Sequence, residues 1–164
     1  MKIYINGKIV DEAEAKISVF DRSYLFGDGL FETLRSYDGK LPFLDKHLRR
    51  MQWGATFMGL PFPHPKEIEE AILETLKANK LEKSSVKDVR VRIMLSGINK
   101  GLKPNPLTDD TPVNLVVVCE KFIPLPAQNY EKGVSLIMVH SAKNESSGFQ
   151  RQIGQSRDQD DRST

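Results

Sequence analysis

Phe20-Asp21-Arg22-Ser23-Tyr24-Leu25-Phe26-Gly27-Asp28-Gly29-Leu30-Phe31-Glu32-Thr33-Leu34-Arg35 is the stretch on which the fold turns. Its second half, from Leu30 onward to Tyr37, predicts a strand rich in β-formers. Gly27 and Gly29 bracket Asp28 and suit a bend or a close backbone approach. They make no phosphate cradle, because no glycine-rich loop opens a helix here.

Upstream, Ile17-Ser18-Val19-Phe20 reads as extended, and Asn6-Gly7 separates the apolar pairs Ile3/Ile5 and Ile9/Val10. Asn-Gly between apolar runs is a strong hairpin signal, since both residues tolerate positive φ. Downstream, Asp38-Gly39 turns the strand into Lys40 to Phe43, so the chain opens as a meander of short strands. Asp45 reads as the N-cap of a helix to about Met58, with Leu48, Met51, Ala55 and Met58 inward and Gly59 as the stop. Pro65 begins a second helix with acids in its first turns and Ile68, Ala71, Ile72, Thr75 and Leu76 on one face. Val89, Val91, Ile93 and Leu95 alternate as a half-buried strand, and Leu115 to Cys119 reads as a central one. Between them, residues 97 to 112 form a long loop rich in Gly, Pro, Asn and Asp, the kind that often carries function. Pro124-Leu125-Pro126 marks a domain edge, and Val134, Leu136 and Met138 start a further strand. Beyond Gly148 the composition turns polar, with Phe149 and Ile153 the large apolar residues left, and disorder is the expectation.

The 164 residues, 39% hydrophobic and 28% charged, suit a globular protein with a real core. A net charge of +2 with no basic stripe argues against nucleic acid as partner. No apolar stretch approaches a membrane span, and the N-terminus lacks the apolar core of a signal peptide, so a cytoplasmic protein is expected. Cys119 stands alone among valines, which excludes an internal disulfide.

The quoted stretch resembles the N-terminal signature of class IV aminotransferases, the family of branched-chain and D-amino-acid aminotransferases and aminodeoxychorismate lyases. The continuation Tyr37-Asp38-Gly39-Lys40-Leu41-Pro42-Phe43-Leu44-Asp45-Lys46-His47-Leu48-Arg49-Arg50-Met51 fits in order and spacing. The opening Ile5-Asn6-Gly7-Lys8-Ile9-Val10 supplies a third piece. The resemblance implies an α+β protein: an N-terminal α/β domain, built as a short-strand meander plus two helices, with the second domain largely missing. It divides the chain into that domain at 1–123, a linker at 124–132, the start of a C-terminal cofactor domain at 133–148, and a disordered, frameshifted tail at 149–164. It further implies pyridoxal 5'-phosphate between the domains, a homodimer, and an amino acid and a 2-oxo acid as substrates.

Arg50 aligns with the family's phosphate-binding arginine. His47, Arg50 and Gly54 share a helix row away from the apolar stripe, where a guanidinium can fork onto phosphate oxygens and a glycine leaves room. The plainer reading is a solvated helix face. Phe31 aligns with an aromatic of the substrate pocket and Phe26 with an active-site aromatic, against the plainer reading of strand core. Some members hold the substrate carboxylate with a loop arginine. Here Ser96-Gly97-Ile98-Asn99-Lys100-Gly101-Leu102 offers Lys100, a point charge without a fork.

The family also implies a Schiff-base lysine in a Lys-x-x-Asn-Tyr motif, falling here near residues 150 to 156. That segment, Gln150-Arg151-Gln152-Ile153-Gly154-Gln155-Ser156, has none, and Lys143 lacks the motif. Arginine stays protonated and is no nucleophile. The resemblance therefore implies a truncated aminotransferase, inactive by itself and prone to self-association through an uncovered apolar face. The alternatives are an aminodeoxychorismate-lyase-like fragment and a non-catalytic binding or interaction domain.

Overall fold

The computed structural model describes residues 1–82 and 88–138. Strands β1 (Lys2–Ile5) and β2 (Lys8–Asp11) form the expected hairpin, with Ile3 opposite Val10 and Ile5 opposite Lys8. Asn6 and Gly7 both take positive φ, 49° and 84°, the conformation that matches a two-residue turn to the right-handed twist of its strands.

The chain between the hairpin and the next strand differs from the expectation. Residues 17 to 20 form no strand, and Ile17, Val19 and Phe20 are exposed. Apolar residues there have no neighbouring ladder to satisfy their backbone groups. A short helix α1 (Arg22–Phe26) follows, capped by Asp21 and closed by Gly27 at φ 76°. Strand β3 (Gly29–Tyr37) leaves it directly. Lys40 to Phe43 does not return as a strand: a single bridge joins Tyr37 and Lys40. Pro42 has no N–H to donate, and Phe43 adopts the left-handed region.

Helix α2 (Leu44–Met58) begins at Phe43, which caps it by backbone alone. Asp45 lies inside the first turn and acts on the helix dipole instead of as the cap. Helix α3 (Pro65–Ala78) starts from His64, whose ring accepts the Lys66 backbone N–H. Strands β4 (Asp88–Gly97) and β5 (Val113–Lys121) complete a five-stranded antiparallel sheet in the order β2-β1-β5-β4-β3. β4 pairs with β3 from Asp88 to Ser96 and with β5 from Val89 to Gly97. Its inward phase, Val89, Val91, Ile93 and Leu95, meets Leu115, Val117 and Cys119 of β5 and the buried stripes of α2 and α3. One layer of helices covers one face of the sheet. On the other face Phe31 and Arg92 are exposed and Met94, Val116 and Val118 are half-buried.

That unit spans Met1–Pro124; a second unit begins at Leu125. Of the second, a short helix α4 (Ala127–Lys132) lies within the stretch read as a linker. Residues 134 to 138 form no strand, and Val134, Leu136, Ile137 and Met138 are exposed. An isolated strand has no partner to take its N–H and C=O groups. Residues 139–164, which hold Lys143 and the 150–156 segment, lie outside the described residues.

Candidate functional site

The site grows from the alternation of β3. Leu30, Glu32 and Leu34 point to the helices, while Phe31 and Thr33 point to the other face. Glu32 is thus an acid on the core side, 5% exposed. Its carboxylate is held by α2: Arg50 donates from Nε to Oε1 at 2.6 Å and from Nη2 to Oε2 at 2.6 Å. His47 Nδ1 lies 2.8 Å from the same Oε2. Burial pushes the Glu32 carboxyl up, but the hydrogen bonds from Arg50 and His47 outweigh it and hold it below the ordinary glutamate value. The Arg50 side chain itself stays 69% exposed, and Glu32 raises its already high pKa.

The row His47, Arg50, Gly54 therefore faces the edge strand. The room left by Gly54 is filled from below: a Cβ there would meet the Leu30 methyls at 3.1 and 3.3 Å, so the glycine lets α2 settle on β3. On its outer side Arg50 shares an open groove with Lys46, Arg49 and Trp53.

A second polar cluster fixes the start of α1. Asp21 is fully buried and accepts from the Ser23 backbone N–H at 2.8 Å, the Ser23 hydroxyl, Ser96 Oγ at 2.6 Å and Asn114 Nδ2 at 2.6 Å. Burial again raises its pKa, and the hydrogen bonds from Ser23, Ser96 and Asn114 together bring it below the ordinary aspartate value. This knot ties α1 to the ends of β4 and β5 and seats Gly29, where a Cβ would lie 2.7 Å from Ser23 Cβ. Arg22 then pins the long loop, donating to the Asn105 carbonyl at 2.9 Å and to Asp28 at 2.5 Å.

The expected site residues fall in different places. Phe31, 61% exposed, lines a groove of about 310 Å³ with Leu30, Met94 and Val116, and the Arg92 guanidinium stacks 4.2 Å from its ring centre. Phe26 is exposed at the end of α1 with Arg22 5.3 Å from its ring centre. Lys100 lines another groove, of about 430 Å³, with Arg22, Asn99 and Asn105. Arg50 lines neither. Sequence reasoning passed over Glu32 and Asp21. For Glu32 the signal was present: an acid in the inward phase between Leu30 and Leu34 must be paired or hydrogen-bonded by other elements of the fold. Among the described residues no His, Cys, Asp and Glu cluster is arranged to hold a metal, and no helix is long and apolar enough to cross a membrane.

The amino-transferase class IV family matches residues 29–153. A Methanocaldococcus jannaschii protein assigned as a branched-chain-amino-acid aminotransferase is 38% identical over 142 residues, 85% of this chain and 46% of that protein. A Staphylococcus epidermidis D-alanine aminotransferase is 42% identical over 79 residues, 48% of this chain and 28% of that one. The crystal structure of a branched-chain aminotransferase from Thermoproteus uzoniensis superimposes with a TM-score of 0.63 at 27% identity, over 74% of this chain and 41% of that one. The T.th. branched-chain amino acid aminotransferase, solved as its complex with N-(5'-phosphopyridoxyl)-L-glutamate, gives 0.63 at 28% identity, over 74% of this chain and 40% of that one. The chain belongs to the class IV aminotransferase family, and its α+β fold is that of the N-terminal part of these structures. It spans less than half the length of the relatives it matches.

Proposed function

We propose that this chain carries the cofactor-phosphate site of a pyridoxal 5'-phosphate-dependent class IV aminotransferase, an enzyme moving an amino group between an amino acid and a 2-oxo acid. The observation that supports it is Arg50: a mostly exposed guanidinium, gripped along one edge by Glu32, with its other edge uncommitted among the described residues. Two of its five N–H donors serve Glu32, and the remaining three suit a phosphoester. Lys46 and Arg49 in the same groove add positive charge, so the residues present fit a phosphate.

When bound, pyridoxal 5'-phosphate supplies the electron sink for chemistry at the substrate α-carbon. The chain's own residues bind and orient. Arg50 holds the phosphate. Phe31 and Phe26 offer apolar walls to substrate, and Lys100 offers a point charge to a carboxylate. The domain division at 1–123, 124–132 and 133–148 belongs to the same reading, as do a homodimer and a cytoplasmic setting. The exposed Phe31 on the sheet face away from the helices supports the homodimer. The segment 150–156 has no lysine, so the chain alone is expected to bind without transferring.

Titration of the chain with pyridoxal 5'-phosphate tests this. Saturable binding is expected, weakened at least about tenfold in Arg50→Ala, with no single lysine labelled stoichiometrically after borohydride. Equal affinity in wild type and Arg50→Ala removes Arg50 from the site.

A further inference from the structure

The acid beside Arg50 poses a question of sign. A carboxylate next to a phosphate site repels the ligand, and by charge alone Glu32 ought to weaken binding. Its geometry points the other way. Glu32 is buried and cannot swing to solvent, and His47 at 2.8 Å fixes the same oxygen that Arg50 Nη2 reaches at 2.6 Å. The side-on edge of the guanidinium, Nε and Nη2, is thereby held in a two-point grip by a buried carboxylate. A long exposed arginine otherwise samples many rotamers, and ordering it on binding opposes affinity.

We infer that Glu32 is a positioning residue: it clamps Arg50 side-on so that the end-on edge, Nη1 with the outer Nη2 hydrogen, is presented ready for a phosphoester. His47 is the brace that keeps Glu32 in register. This rests on the phosphate-site reading above and assigns that site a supporting residue that the motif spacing does not show. Lys46 and Arg49 share the groove, so the site remains net cationic with one buried anion beneath it.

Trp53 is the one tryptophan of the chain and lines the Arg50 groove, so its fluorescence reports on occupancy. The full chain and its Glu32→Gln, Glu32→Asp and Arg50→Ala variants are titrated with pyridoxal 5'-phosphate, with inorganic phosphate, and with pyridoxal as the phosphate-less control. Glu32→Gln is expected to weaken both phosphate probes about three- to tenfold and to leave pyridoxal unchanged. Glu32→Asp, which restores the carboxylate on a shorter arm, recovers part of that loss. A merely structural role would shift all three probes together and overturns the inference. So does a Glu32→Gln chain that binds phosphate as tightly as wild type or more tightly, the outcome charge alone dictates. Should circular dichroism show Glu32→Gln unfolded, Glu32→Asp decides by itself: weakening confined to the two phosphate probes is expected, and an equal shift of pyridoxal and the phosphate probes refutes the clamp. Arg50→Ala separates the two readings: if it binds like wild type, the phosphate site lies elsewhere and both fall. If it loses binding while Glu32→Gln does not, the site stands and the clamp falls. A wild-type chain with no phosphate-dependent change overturns both.

Discussion

Replacing Asp21 by asparagine probes the knot that seats α1 against the sheet. The carboxylate is completely buried and takes hydrogen bonds on both oxygens: Oδ1 from the Ser23 backbone and hydroxyl, Oδ2 from Ser96 and Asn114. Asparagine keeps the Oδ1 acceptor but puts an NH₂ where Oδ2 was. The Ser96 hydroxyl can rotate to accept from it. Asn114 cannot turn its amide to do so, because its Oδ1 already accepts from Asn6 Nδ2 at 2.7 Å. One bond to a charged acceptor is lost, its donor is left buried, and the three bonds that remain become neutral. With about 1.5–3 kcal/mol for a bond to a charged group, the expected destabilisation is about 2–4 kcal/mol, a large part of a typical domain stability of about 5–15 kcal/mol. Urea unfolding followed by circular dichroism near pH 7 measures it. The pH dependence has a definite sign. The folded pKa is depressed, so the unfolded chain holds the proton more tightly in acid. The stabilisation is complete above the unfolded aspartate value of about 3.9 and is lost as pH falls through the lower, folded value. The asparagine of the variant does not titrate, so the gap between wild type and variant should narrow below about pH 4. A gap under about 0.5 kcal/mol near pH 7, or one that widens in acid, contradicts this account of the knot.

Gly29→Ala should destabilise by about 1–3 kcal/mol, because its Cβ would lie 2.7 Å from Ser23 Cβ and 3.5 Å from the Leu95 carbonyl, and a β-carbon so close to the α1 backbone cannot swing aside. An unchanged thermal midpoint would show that α1 shifts freely. Burial pushes the Cys119 thiol up to about 12, so the native protein should resist a thiol reagent near pH 8 and react on unfolding. Rapid native labelling would place Cys119 at the surface.

Much of the fold was legible because the relevant signals are local. The Asn6-Gly7 turn, the alternation of Val89 to Leu95 and the three-and-four spacing on α2 and α3 each lie within a few residues. Helix α1 was not legible: five residues are too few to show a helical period, and the segment before it, Ile17 to Phe20, carries a strand-like composition with no strand to pair with. Val134 to Met138 misled for the same reason, since β-propensity records what fits a pleated surface, not whether one is present. Asp45 looked like a cap by residue type, yet the turn at Pro42-Phe43 moved the helix start back by two residues.

The candidate site divides along the same line. The family, the residue type at Arg50, and the placement of Phe31 and Glu32 on opposite faces of one strand all follow from the amino-acid order, because side-chain alternation is a property of the strand alone. That Glu32 meets His47 and Arg50, and that Asp21 gathers Ser96 and Asn114 from 75 and 93 residues away, emerges from the folded chain alone. Those pairings depend on the register of β3, β4 and β5 and on the glycine that brings α2 down onto Leu30. Buried charges must find partners, but which partners is settled by the packing of whole elements, and no short window of sequence contains that information.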